Sequence, residues 1–366
     1  LRIPEFWMNS ATKIRHNLPA PDFDDTGFIG RSKERREIAK RLSSRYPIVT
    51  IVGEGGIGKT SLALRCLYDL LDDEAAPFDA IVWVSLKTRA LTVGGVTEIR
   101  GAIGDLVGLV RAVATESCAI DIDEDPIADI HTYMEQFRVL LAIDNVETLS
   151  TGSLRDLLSD VPVQSKVLLT SRIGLGELEV RYPLDALDSA NAVQLVRKFS
   201  SANNLKYLQS APTKTLENYV ERLFRNPLLI KWFVSSVAAG APVEKILSRS
   251  GKTFVDAVRF CFENLYERMS DTETKLVQIL AATRRPTTRA ELAYLCDADT
   301  RDLELALTGL HNSSTVRVSI STQADGGIST YQLTDIASEF ISKLAPPSPD
   351  FFASIQRELN RLSRAG

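Results

Sequence analysis

IVGEGGIGKTSLA, Ile51 to Ala63, passes from β-branched apolar residues through four glycines to Lys-Thr-Ser and on into helix-forming residues. Gly53, Gly58, Lys59 and Thr60 fit G-x-x-x-x-G-K-[ST] at every defined position. A strand before the loop and a helix after it are the context in which that pattern binds phosphate. Glycines let the backbone wrap so that its N–H groups converge on phosphate oxygens, and the following helix adds its positive end. The expected cradle is Gly53, Gly55, Gly56, Ile57 and Gly58, with Ser61 in the first turn of the helix. Lys59 is placed to reach the β- and γ-phosphates, and the Thr60 hydroxyl to bind Mg2+.

Such a loop needs an acid at the C-terminal edge of a neighbouring strand, because Mg2+ takes oxygen ligands close to the phosphates. VLLAIDNV (139–146) reads as a buried strand and carries Asp144 at that edge. Asn145 follows, and an amide cannot act as a base. Glu147 comes two positions later: either it polarises the attacking water or nothing does so efficiently. Slow ATP hydrolysis at most is the expectation. Arg172 closes a further strand, KVLLTSR (166–172), where a guanidinium would stand beside the γ-phosphate and sense it.

Working outward, PIVTIVG (47–53) and AIVWVSL (80–86) are also buried strands by their β-branched content. Ile99, Ile103, Leu106, Val107 and Val110 fall at helical spacing between them and the Asp144 strand. This alternation predicts an α/β fold, a P-loop NTPase parallel sheet flanked by helices, over 27–183. Residues 1–26 are rich in Pro, Asp and Asn without periodicity and read as a linker; a chain starting at Leu1 reads as a fragment. After Pro183 only helices are expected, at 188–200, 214–224, 226–239 and 253–267, giving a helical domain over 184–267. SDTE (270–273) and TRAE (288–291) each match a capping box and start two helices. A third helix over 300–310 and two strands around an Asp325-Gly326-Gly327 turn complete a winged-helix pattern over 268–344. APPSPD (345–350) reads as a linker, and 351–364 opens a further helical region.

The 366 residues, 44% hydrophobic and 25% charged, allow two or three domains with sizeable cores. A net charge of −4 gives no global attraction to nucleic acid or anionic membrane. Cys66, Cys118, Cys261 and Cys296 lie far apart with no C-x-x-C, so neither a disulfide framework nor a zinc site is expected, and a reducing cytoplasm is. The longest apolar run, 227–243, is interrupted by Lys231 and reads as core rather than a membrane span.

Taken in order, these motifs resemble the NB-ARC branch of the STAND signal-transduction ATPases over roughly 27–342. GFIGRSKE (27–34) is similar to the family's entry motif, which implies that Phe28, Ile29 and Arg31 pack on adenine. RNPLLIKWF (225–233) resembles the G-L-P-L segment, which implies that Pro227 packs on the base. The M-H-D position is occupied by LTD, Leu333 to Asp335, so Thr334 stands where a histidine usually touches the β-phosphate of ADP. A threonine there offers a hydrogen bond but no cationic contact. The resemblance implies an ADP/ATP-controlled switch: ADP clamps the helical and winged-helix units onto the sheet, and ATP releases them for homo-oligomerisation. It also implies an N-terminal effector, a C-terminal sensor, an unidentified trigger and a signalling role, with antiphage defence expected and transcriptional regulation the alternative.

A winged helix also invites a DNA-binding reading. Residues 270–342 hold six Lys/Arg against ten Asp/Glu, whereas a groove-reading module needs local positive potential. A packing domain is therefore the expectation, with Arg284, Arg285 and Arg289 as one small basic spot. Asn145 argues against a fast ATPase motor, and the helical region after 184 offers no acceptor site for a small-molecule kinase.

Overall fold

The computed structural model describes residues 14–20, 27–87, 89–92, 95–98, 126–148, 151–174, 179–248, 251–321 and 328–365. They form two compact units that divide between Gly240 and Ala241. The helix expected over Ile99–Val110 and the Asp325-Gly327 turn lie outside the described residues.

In the first unit, β1 (Arg15–His16) and α1 (Ser32–Leu42) precede β2 (Ile48–Val52) and α2 (Lys59–Leu71). β3 (Ala80–Ser85) follows, then a hairpin of β4 (Arg89–Thr92) and β5 (Gly95–Glu98). After these come α3 (Pro126–Gln136), β6 (Val139–Asp144), α4 (Thr151–Leu158), β7 (Lys166–Ser171) and β8 (Val180–Pro183). The main sheet has the order β1-β3-β6-β7-β2-β8, and every pair in it is parallel.

Parallel strands covered on both faces read as unbroken apolar runs, because residues of either parity are buried. In β6, Val139, Leu141 and Ile143 pack toward Ile130, Met134, Leu154 and Leu157 of α3 and α4. Leu140 and Ala142 pack toward Ile38, Leu42, Leu62 and Leu67 of α1 and α2. β2, β3 and β7 divide in the same way, which holds the strand ends in one row.

The segment read from sequence as a linker contributes to this sheet. Arg15 and His16 pair with Ala80 and Ile81, and Ile14 is buried. The Asn17 side chain closes both free groups of Trp83, accepting from its amide at 2.6 Å and donating to its carbonyl at 3.0 Å. A two-residue strand is too short to show a periodicity, which is why composition alone suggested a linker.

The first unit continues with α5 (Ser189–Ala202), α6 (Lys206–Gln209), α7 (Thr213–Arg222) and α8 (Pro227–Ala238). Their apolar stripes meet around Val196, Leu216, Val220, Leu229 and Phe233, with Tyr219 and Phe233 5.8 Å apart.

The second unit comprises α9 (Val243–Ile246), α10 (Lys252–Tyr266), α11 (Asp271–Thr283), β9 (Thr287–Thr288), α12 (Arg289–Cys296) and α13 (Thr300–Asn312). It ends with β10 (Val316–Ser321), β11 (Ile328–Leu333), α14 (Asp335–Leu344) and α15 (Pro349–Ala365). The expected capping boxes are both formed, Ser270 with Glu273 and Thr288 with Glu291. β10 and β11 form a hairpin, and β11 also pairs with β9.

Two boundaries differ from the sequence reading. α10, grouped there with the preceding helices, packs on α14 through Phe262 and Tyr266, whose rings lie 5.2 and 5.3 Å from Phe340. α15 packs against α11: Ile355 is buried, and Gln356 donates to the Ala282 carbonyl at 2.8 Å. Two of the three arginines of the basic spot are paired with carboxylates. Arg285 and Arg289 pair with Glu291 and Glu304, and Arg284 lies over Phe352. Among the described residues no helix is long and apolar enough to cross a membrane.

Candidate functional site

The site is built where α2 leaves the phosphate loop and three strands end together. Ser85 on β3 is in register with Asp144 on β6, and Thr170 lies near the end of β7 alongside. Asp144 is 1% exposed. Its Oδ1 accepts from Thr60 Oγ1 at 2.7 Å and Thr170 Oγ1 at 2.5 Å, and its Oδ2 from Ser85 Oγ at 3.2 Å. Burial pushes its carboxyl pKa up, and the Thr170 and Thr60 hydroxyls pull it back. A buried carboxylate beside a hydroxyl is a hard oxygen donor set, the chemistry that fits a divalent cation of the Mg2+ type.

Lys59 opens α2 and is buried. Its Nζ donates to the Gly53 carbonyl at 2.8 Å and the Glu54 carbonyl at 3.0 Å. Each carbonyl shares a planar trans peptide with the next residue's N–H, so drawing the carbonyls toward Lys59 turns those N–H groups the opposite way. Burial lowers the Lys59 pKa to about 8. A buried ammonium at the mouth of an amide-lined loop is a receptor for anions.

The loop is also held from the helical segment. Asn226 is fully buried; its Oδ1 caps α8 by accepting from the Leu228 and Leu229 amides, and its Nδ2 donates to the Gly55 carbonyl at 3.0 Å. The Leu228 amide additionally donates to the Gly56 carbonyl at 3.1 Å. This close approach requires glycine at 56. Its φ is +76°, and a Cβ there would meet Leu228 Cβ at 2.6 Å. Pro227 occupies the first turn of α8, 3.8 Å from where a Cβ on Gly58 would stand.

Arg31 works from the other side. Its guanidinium donates to the Asp185 carbonyl at 2.7 Å, lies 3.5 Å from the Ile57 carbonyl and pairs with Glu34 at 3.1 Å. Phe28 packs on the α1–α2 side of the sheet core, and Ile29 beside it is half-buried, as is Ser61. Glu147 and Arg172 pair with each other, Nε to Oε1 at 3.2 Å, and the Arg172 amide donates to Oε2 at 3.3 Å.

The first unit thus brings together Gly53–Ser61, Asp144, Glu147, Arg172, Arg31 and Pro227. Thr334 belongs to the second unit, where it precedes α14. It is buried, its amide donates to the Thr315 carbonyl, and its Oγ1 has no hydrogen-bond partner among the described residues. Asp335 beside it pairs with Arg317 at 2.9 Å. Sequence reasoning missed Ser85, Thr170 and Asn226. For Asn226 a local signal existed, since Asn before Pro is a helix-start pattern, but its bond to Gly55 joins residues 171 positions apart.

Residues 31–174 match the NB-ARC domain family. The chain carries an NB-ARC domain. The transcription activator GutR of Bacillus subtilis is 23% identical over 334 residues, covering 83% of this chain and 39% of GutR. The disease resistance protein RGA4 of Oryza sativa is 25% identical over 160 residues, covering 42% of this chain and 14% of RGA4. This chain therefore spans well under half the length of the curated relatives it matches. The Walker-type ATPase paby2304 of Pyrococcus abyssi shares the fold, with a TM-score of 0.56 at 15% identity over 89% of this chain and 99% of that one. Nucleotide binding is the activity that the phosphate loop of this domain implies.

Proposed function

We propose that this chain is the ADP/ATP-controlled switch of a larger STAND signalling protein. The observation that carries the reading is the double tie between the phosphate loop and α8, Asn226 to Gly55 and Leu228 to Gly56. A loop whose peptide orientations depend on a helical segment passes nucleotide-dependent changes to that segment. A ligand shifts such an equilibrium only by its differential affinity for the two arrangements, and the γ-phosphate with Mg2+ is that difference.

In this reading Gly53 to Ser61 hold the phosphates and Thr60 with Asp144 hold Mg2+. Phe28, Ile29, Arg31 and Pro227 frame the base and ribose, and Arg172 senses the γ-phosphate. Bound Mg2+ supplies charge neutralisation of the phosphates. Asn145 offers no base, which keeps hydrolysis slow. The ATP form exposes the surface for homo-oligomerisation, in which nucleic acid and membrane take no part. The test is to denature purified protein and identify the released nucleotide. ADP near one per chain is expected, and none from Lys59→Ala. Absence of nucleotide in the wild type, with unmeasurable affinity for both ADP and ATP, sinks the reading.

For the larger protein two roles stand, antiphage defence and transcriptional control in the cytoplasm. The second is favoured by the alignment of 83% of this chain to GutR. Phage challenge and transcript profiling of cells with and without the full-length gene separate them.

A further inference from the structure

Glu147 and Arg172 meet just beyond the ends of β6 and β7. Both carboxylate oxygens of Glu147 are engaged by one residue, Oε1 by the guanidinium at 3.2 Å and Oε2 by the main-chain amide at 3.3 Å. The Arg172 side chain is only 16% exposed and that of Glu147 6%, so the pair is nearly dry. The other cation of the site is Lys59, which opens α2 and holds the Gly53 and Glu54 carbonyls.

These are the cations that a terminal phosphate requires, Lys59 by its place in the loop and Arg172 by its place at the neighbouring strand end. We propose that Glu147 is a specificity-determining residue, its carboxylate an internal counterpart of the terminal phosphate that biases the site toward the diphosphate over the triphosphate. The inference rests on the nucleotide-binding reading above. A diphosphate leaves the Glu147–Arg172 pair intact. A triphosphate reaches Arg172 only by opening a nearly dry ion pair and bringing its own charge close to a second anion, and both cost free energy. The same engagement gives slow hydrolysis a structural cause, because a carboxylate held by Arg172 is not free to orient water until the pair opens.

The test uses the full chain with Mg2+ and calorimetric titration of ADP and of the non-hydrolysable triphosphate AMP-PNP. Glu147→Gln keeps the volume and removes the charge. Its preference, the ratio of the two dissociation constants, is expected to move toward the triphosphate by on the order of tenfold. Glu147→Ala carries the same expectation and decides if the first does not fold, and Arg172→Met checks that the partner of Glu147 is the group that meets the terminal phosphate. Arg172→Met is expected to weaken AMP-PNP by about tenfold while ADP changes less than about twofold. An unchanged ratio in Glu147→Gln, or equal weakening of both nucleotides in Arg172→Met, overturns the role of Glu147 alone. Wild-type protein that binds neither nucleotide overturns the nucleotide-binding reading and this inference together.

Discussion

Truncating Asn226 to alanine should loosen the phosphate loop and the start of α8 in one step. Asn226 Oδ1 satisfies the Leu228 and Leu229 amides, and losing such a cap costs about 1 kcal/mol. Its Nδ2 satisfies the Gly55 carbonyl in a fully buried setting, and a buried acceptor left unpaired costs about 1–3 kcal/mol. Together the loss is about 2–4 kcal/mol. For a unit of the size of Leu1–Gly240, that lowers the melting temperature by about 4–16 °C. The comparator is Asn226→Ser, whose shorter side chain keeps the cap but cannot reach Gly55, and which should lose only the Gly55 part, about 1–3 kcal/mol. The assay is thermal unfolding of the nucleotide-free chain, paired with ADP titration. ADP should bind more weakly to the alanine variant, because a loop no longer tied must be ordered on binding. A fall below about 2 °C with unchanged ADP affinity would refute the claim that Asn226 sets the loop.

Two other predictions concern charge at the site. In Asp144→Asn, dependence of triphosphate binding on Mg2+ should disappear while Mg2+-free ADP binding stays within about twofold. Burial holds the native Asp144 pKa above its ordinary 3.8, so this carboxyl costs stability as pH rises through that range. The nucleotide-free asparagine variant should therefore melt no lower than wild type at pH 7, and a large drop would contradict the electrostatic argument. Lys59 reads the other way: its native pKa of about 8 lies below the ordinary 10.5. Between those values the unfolded chain holds the proton and the native chain does not, so this group makes stability rise with pH across that window. Polyphosphate restores the charge, so ADP binding should take up protons near pH 8.5 and none near pH 6.5. Titration in buffers of different ionisation enthalpy measures this directly, and equal heats at pH 8.5 would count against it.

Whatever depends on local spacing was legible. The G-x-x-x-x-G-K-T pattern, Asp144 at a strand end and both capping boxes follow from neighbours within one element, and the parallel sheet from the alternation of such elements along the chain. Three kinds of feature were not. Asn226 and Gly55 meet only because α8 docks on the loop, so no window of sequence contains the pair. β1 is a strand because Asn17 and Trp83 satisfy each other across the sheet edge, although its composition is that of a loop. The division at Gly240 rather than near 267 follows from the meeting of α10 with Phe340, and an amphipathic stripe does not state which later helix will cover it. Glu147 and Arg172 were each legible as charged residues at strand ends. Their bond to one another was not, and it turns a candidate base and a candidate sensor into a single paired unit.

Nucleotide held rather than consumed is the central claim, and steady-state hydrolysis of ATP by purified protein with Mg2+ tests it most directly when the retained nucleotide is assayed in the same sample. Expected is turnover far below the roughly 1 s⁻¹ floor of ordinary enzymes, with ADP still bound to the chain at the end. Sustained turnover of many ATP per second, with nucleotide exchanging freely, would contradict it.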